Sequence, residues 1–258
     1  MRIQPTVFAD LPTPSGPMRT HLFRPLSAES QLAKFPGVVL YSEIYQMTAP
    51  IARTAATLAG KGFLVAVPEV YHEYEPAGTV LAYDKPGTDR GNELKTTKPL
   101  ANFDADARAV IDFLSNDAGC TGNLGALGIC LGGHLAFRAA MDPRIKAGVC
   151  LYATDIHQRS LAAGMNDDTL DRISEIQAEM LMIWGRQDPH IPAAGRRVIY
   201  DAMTAAGTRF TWHEFNAEHA FIRDEGNRFD PALAQLVHLL IDELFDRRLK
   251  ISWADSPG

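Results

Sequence analysis

Cysteine is scarce in this sequence: three in 258 residues, Cys120, Cys130 and Cys150. An odd number without framework spacing excludes a disulfide scaffold and points to a reducing, cytoplasmic setting. Basic residues are also in the minority, 25 Lys and Arg against 31 Asp and Glu, for a formal net charge of −6. With no basic stripe to neutralise phosphates, nucleic acid is not an expected partner. No segment approaches the roughly eighteen apolar residues of a membrane span, so no membrane association is expected. The opening MRIQPTVFADLPTPSGPMRT lacks the apolar stretch of a signal peptide. Repeats, low-complexity tracts and an interdomain linker are missing too, which predicts a single domain over 1–258. The closing SWADSPG reads as a tail that frays or docks on a neighbour.

What is present is a hydrophobic fraction of 46%, enough for a sizeable core, arranged in two alternating kinds of segment. Short runs rich in Val, Leu and Ile read as buried strands at 37–43, 62–70, 123–130, 147–153 and 179–185. A sixth, RFTWHEF at 209–215, alternates more and suggests a strand near a sheet edge. Helical patterns fall at 48–61, 102–116, 132–141, 192–207 and 231–249. This alternation predicts an α/β fold, a mostly parallel central sheet with right-handed crossovers and helices on both faces. PTVFADL and PMRTHLFRP, joined by a Pro/Gly turn, predict an antiparallel hairpin ahead of it. Residues 71–99 give no clear period. A loop that long inside a compact domain is usually a lid or binding loop, although a solvated surface excursion has the same composition.

Chemistry concentrates at GICLGG, where Gly128 and Gly132 flank Cys130 at the junction of an apolar strand and an apolar helix. That strand–turn–helix setting is what a nucleophile elbow requires. Bulk two residues to either side would collide with the crossing helix or strand. The helix points its N–H groups at the sulfur. A buried structural thiol remains the other reading. Partners exist in the order nucleophile, acid, base: Asp188 follows the strand 179–185 and His219 the strand 209–215. All three fall past strand ends, where open parallel sheets carry their sites. The other histidines read as structural or exposed; His190 is the nearest rival, but it is only two residues from Asp188. His72–Glu73, His213–Glu214 and Glu218–His219 are adjacent pairs without the spacing that puts two ligands on one helix face, so no metal is expected.

With YSEIY, VPEVY, GICLGG, WGRQDPHIP and EHAFIR in these positions, the sequence resembles the dienelactone hydrolase family over roughly residues 17 to 245. The resemblance implies an α/β-hydrolase fold and a cysteine-dependent ester or lactone hydrolase that needs no cofactor. It implies Cys130 as nucleophile, His219 as base and Asp188 as its orienting acid. Glu43 would modulate the nucleophile, the N–H groups of Ile44 and Leu131 would form the oxyanion hole, and Arg223, with Tyr71 nearby, would meet the substrate. Two anions about 4 Å apart repel by roughly 4 kcal/mol at an effective dielectric near 20, so an ionised Glu43 would oppose a charged sulfur. The family's second substrate-binding arginine has no counterpart: His72, Glu73, Tyr74 and Glu75 follow Tyr71. A substrate less acidic than a dienelactone is therefore expected, with Arg53 and Arg90 as further possible anion holders. The expected partner is a small-molecule ester or lactone, and the chain itself a monomer or homodimer. Two other readings stay open: a non-catalytic binding domain on the same fold, and a redox-sensing thiol, for which neither Cys120 nor Cys150 is well placed as resolving partner.

Overall fold

The structure, a computed structural model, describes residues 1–27 and 33–250; the closing SWADSPG lies outside the described residues. The chain opens with β1 (Arg2–Ile3), the hairpin β2 (Val7–Thr13) and β3 (Gly16–Phe23), and β4 (Pro25–Leu26), which pairs with β1. Strand and helix then alternate as expected: β5 (Phe35–Tyr41), α1 (Ala49–Gly60), β6 (Leu64–Pro68), then α2 (Lys85–Thr97) and α3 (Leu100–Asn116) in succession. The second half runs β7 (Cys120–Ile129), α4 (Leu131–Ala139), β8 (Ile145–Leu151), β9 (Glu179–Gly185), α5 (Ala193–Ala205), β10 (Phe210–Phe215) and α6 (Pro231–Phe245).

Eight strands form one sheet in the order β10-β9-β8-β7-β5-β6-β3-β2. From β10 to β6 every pairing is parallel; the hairpin joins β6 antiparallel, with Phe23 opposite Val65 and Thr20 opposite Pro68. The central strands are buried on both faces, which explains their unbroken apolar runs. Helices cover both sides. Gly125 and Gly128 on β7 are three apart and so face opposite ways; Gly125 looks onto Phe245 at the end of α6 and Leu249 just beyond it, and Gly128 onto the start of α4. β10 lies at an edge, as its alternating pattern suggested, and its residues are only half-buried or exposed. Among the described residues no helix is long and apolar enough to cross a membrane.

One expectation needs correction. The stretch 71–99 is not structureless, since its second half is the thirteen-residue helix α2. Asp84 caps it, accepting 2.8 Å from the Gly87 N–H, and Pro86 sits in its first turn. The helix is polar and buries little beyond Leu94 and two glycines, so no apolar stripe marked it. Gly91 is required by close approach: a Cβ there would lie 2.7 Å from the Ile44 carbonyl oxygen. The predicted C-terminal helix also changes register: its α-helical part stops at Phe245 and a π-helical turn carries Asp246–Lys250.

Candidate active site

Each predicted residue sits just beyond the carboxyl end of a parallel strand. Glu43 follows β5, Cys130 follows β7, Asp188 follows β9 and His219 follows β10. Cys130 has φ +60° and ψ −118°, a conformation costing a residue with a side chain on the order of 1–3 kcal/mol. The strain is held from both sides. The Cys130 N–H donates to the Leu151 carbonyl at 3.0 Å, and its own carbonyl accepts from Gly133 at 3.0 Å. The flanking glycines are sterically dictated, for a Cβ on Gly128 would fall inside the Gly132 backbone and one on Gly132 inside the Tyr41 carbonyl. Tyr152, Asp155 and Ala220, which surround the same strand ends, also have positive φ.

His219 and Asp188 are both buried and meet directly, Nδ1 to Oδ2 at 2.6 Å. That contact fixes the ring so that Nε2 is the nitrogen left for chemistry. The other Asp188 oxygen accepts the His190 N–H at 2.8 Å. Two rings hold the imidazole edge-on, Tyr152 at 4.9 Å and His190 at 4.8 Å. Burial opposes a charge on His219, but the Cys130 sulfur and the Asp188 carboxylate outweigh it and raise its pKa to about 10. His190 moves the other way, lowered by burial and by the neighbouring His219.

Glu43 is buried, and its two oxygens are both engaged. Oε2 accepts the Tyr83 hydroxyl at 2.9 Å, and Oε1 accepts from Arg223 Nη1 at 3.4 Å. The Arg223 guanidinium lies over the Tyr83 ring, 4.2 Å from its centre. Burial pushes the Glu43 carboxyl up, and Arg223 and Tyr83 offset this only in part. Ile44 and Leu131 follow Glu43 and Cys130 directly; Leu131 opens α4, where the first N–H groups have no partner within the helix. Tyr71 is not brought to the cavity as the resemblance implied. It is fully buried, and its hydroxyl is given to the Gly91 carbonyl at 3.1 Å.

A cavity of about 480 Å³ opens over Cys130, and its walls include Glu43, Ile44, His190, His219 and Arg223. Several wall residues had no sequence argument behind them. Thr88, Asn92 and Lys95 come from one face of α2, at i, i+4 and i+7, and Arg228 comes from the loop after His219. The cap and proline at Asp84–Pro86 were the signal that could have disclosed them. Lys95 pairs with Asp155 at 2.8 Å. Arg53 pairs with Asp224 and Glu225, and Arg90 with Glu75 and Glu93, so neither reaches into the cavity. Arg228 makes no ion pair among the described residues, which leaves the cavity one uncompensated cation.

Elsewhere His72, Glu73 and Asp106 converge closely enough to hold a metal ion. A cation already occupies that place: the Lys98 ammonium, wholly buried, lies 2.7 Å from Glu73 and 2.6 Å from Asp106. Cys120 and Cys150 are buried thiols, both pushed up by burial.

Three comparisons bear on this arrangement. A family model described as the dienelactone hydrolase family matches residues 19–249. A putative carboxymethylenebutenolidase of Saccharomyces cerevisiae is 42% identical, covering 95% of this chain and 92% of its own length. A carboxymethylenebutenolidase of Pseudomonas putida is 24% identical over 84% of this chain and 88% of its own. In three dimensions, the crystal structure of a putative dienelactone hydrolase from Klebsiella pneumoniae superposes with a TM-score of 0.82 at 21% identity, over 96% of this chain and all of that one.

Proposed function

The chain belongs to the dienelactone hydrolase family, and from that premise we propose that it hydrolyses a small ester or lactone through Cys130, His219 and Asp188, by way of a thiol acyl-enzyme. The observation that carries this reading is one cavity holding a strained elbow cysteine, a carboxylate-oriented histidine and a buried glutamate.

When the substrate draws Glu43 from Arg223, the Glu43 carboxylate takes the thiol proton; burial favours the protonated form it then adopts. The Cys130 thiolate attacks the carbonyl carbon. The Ile44 and Leu131 N–H groups receive the oxyanion, a contribution of about 3 kcal/mol per donor where such donors have been removed in other enzymes. With the sulfur charged, His219 is protonated at neutral pH, and its proton goes to the leaving alkoxide as the C–O bond breaks. In the acyl-enzyme the sulfur's charge is gone, so the largest influence holding the proton on His219 is gone with it. The neutral imidazole can then take a proton from water as the hydroxide adds to the thioester. Expulsion of the thiolate releases the acid, and Glu43 returns its proton to the sulfur.

Arg228 and the displaced Arg223 can hold one anionic group between them, which supports a neutral or singly charged substrate. The test is a burst experiment with p-nitrophenyl esters and simple lactones, some carboxylated, on wild type and Cys130→Ser. A burst near one equivalent, lost in the variant, is expected. Full activity in Cys130→Ala on every substrate cleaved by the wild type would overturn the reading.

A further inference from the structure

A second cavity, of about 390 Å³, lies on the far side of the Glu43–Arg223 pair. One wall is a single face of α1 and its cap, positions 50, 54, 57 and 61; the facing wall is a single face of α6, positions 231, 234, 235 and 238. Ile51, Ile129 and Ile222 make the interior apolar, and Ile129 immediately precedes Cys130. Tyr152, whose ring packs on His219 at 4.9 Å, also lines it.

Among the described residues, Glu43 and Arg223 are the two that line both this cavity and the one over Cys130, so this ion pair is the partition between them. Their 3.4 Å contact is at the long end for a hydrogen bond. At the rim the charged groups are already neutralised, Arg53 by Asp224 and Glu225, Lys61 by Asp242 at 2.6 Å. Phe229, another lining residue, leaves 37% of its surface in water. An apolar interior with a compensated rim suits hydrocarbon and offers nothing to a free anion.

We propose that this second cavity holds the hydrocarbon part, aliphatic or aromatic, of an ester whose carbonyl sits at Cys130, the two cavities joining when Glu43 leaves Arg223. The inference rests on the hydrolase reading above and extends it to a substrate class: esters with an extended apolar acyl or alcohol group.

Two ester series test it, one lengthening the acyl chain of p-nitrophenyl esters and one lengthening the alkyl group of acetates. Each is run on wild type, Thr54→Trp and Gln235→Trp. Thr54 is half-buried and Gln235 exposed, so a large ring there fills the cavity from its open side without entering the core. One series is expected to gain about threefold in kcat/KM per methylene while room remains, close to the transfer gain of one buried methylene. That gain should shrink at least tenfold in total in both variants. A rise in the acyl series assigns the cavity to the acyl part, and a rise in the alkyl series to the alcohol part. Flat series, or a rise that survives both variants, overturn the inference while leaving the hydrolase reading intact. Binding of 1-octanol to Cys130→Ala, followed by calorimetry, gives a readout independent of turnover. If no ester is turned over, the hydrolase reading fails by itself. The cavity is then judged by octanol: affinity lowered at least tenfold by Thr54→Trp supports it, and unchanged or absent binding overturns it.

Discussion

At Cys130 the side chain and the backbone obey different constraints. The backbone is held in a left-handed conformation by neighbours that tolerate no Cβ, while the sulfur sets the charge state of His219 across the cavity. Removing the sulfur should therefore release the histidine. In Cys130→Ala the His219 ring, followed by NMR titration, is expected to titrate well below about 10, closer to the value of 6.5 it has in an unstructured chain. The same shift acts on stability. Wherever the folded enzyme carries the sulfur charged, it holds the His219 proton more tightly than the unfolded chain does, a contribution complete below about pH 6.5 and lost as the pH rises through about 10. Melting temperatures measured from pH 7 to about 10.5 should fall more steeply in wild type than in Cys130→Ala; equal slopes would contradict the coupling. Asp188→Asn should lower kcat by roughly 10⁴, by analogy with loss of the orienting acid in other triads.

Helix α2 brings together what could and could not be read in advance. The parallel strands were legible because burial on both faces writes itself as continuous Val, Leu and Ile, and the elbow because Gly128, Cys130 and Gly132 stand at a strand end. Asp188 and His219 were legible from order and from the strands before them. α2 was not, because helices are recognised by an apolar stripe and this one meets the protein through glycines. Its contribution to the cavity, Thr88, Asn92 and Lys95, stayed hidden with it, as did Tyr83 on Glu43, whose place depends on a fold-back no local pattern encodes. Its contact is testable. Gly91→Ala would press a methyl group against the Ile44 backbone, moving a proposed oxyanion donor. kcat is expected to fall by about 10- to 100-fold, less than the roughly 10²–10³ that outright loss of one such donor costs, because the donor is displaced and not removed, with KM little changed. Asp84→Ala, which only removes the cap, should cost about 1 kcal/mol of stability by chemical denaturation and leave kcat nearly intact.

Across the whole molecule, one buried cation ties separate segments together. Lys98 bonds the Val70 carbonyl at 2.9 Å and pairs with Glu73 and with Asp106 of α3. Replacing it by methionine would fill the space but leave two carboxylates facing each other, a loss of about 3–5 kcal/mol measurable by urea unfolding. A change under about 1 kcal/mol would mean that the cluster relaxes without its lysine. The antiparallel hairpin has a different kind of importance. β6 carries Leu-Val-Ala-Val-Pro, wholly buried, and β3 covers the side of it that would otherwise be the margin of the sheet. The margin that the hairpin presents instead is β2, which carries Pro12, unable to donate to a new strand, and Asp10 paired with Arg19. Arg19 also shields the exposed ring of Phe8, 3.9 Å from its centre. The hairpin thus acts as a hem, replacing a sticky apolar border with one that resists extension by another chain. Without its first two dozen residues, the protein would offer β6 as a template for uncontrolled association before its chemistry was ever tested.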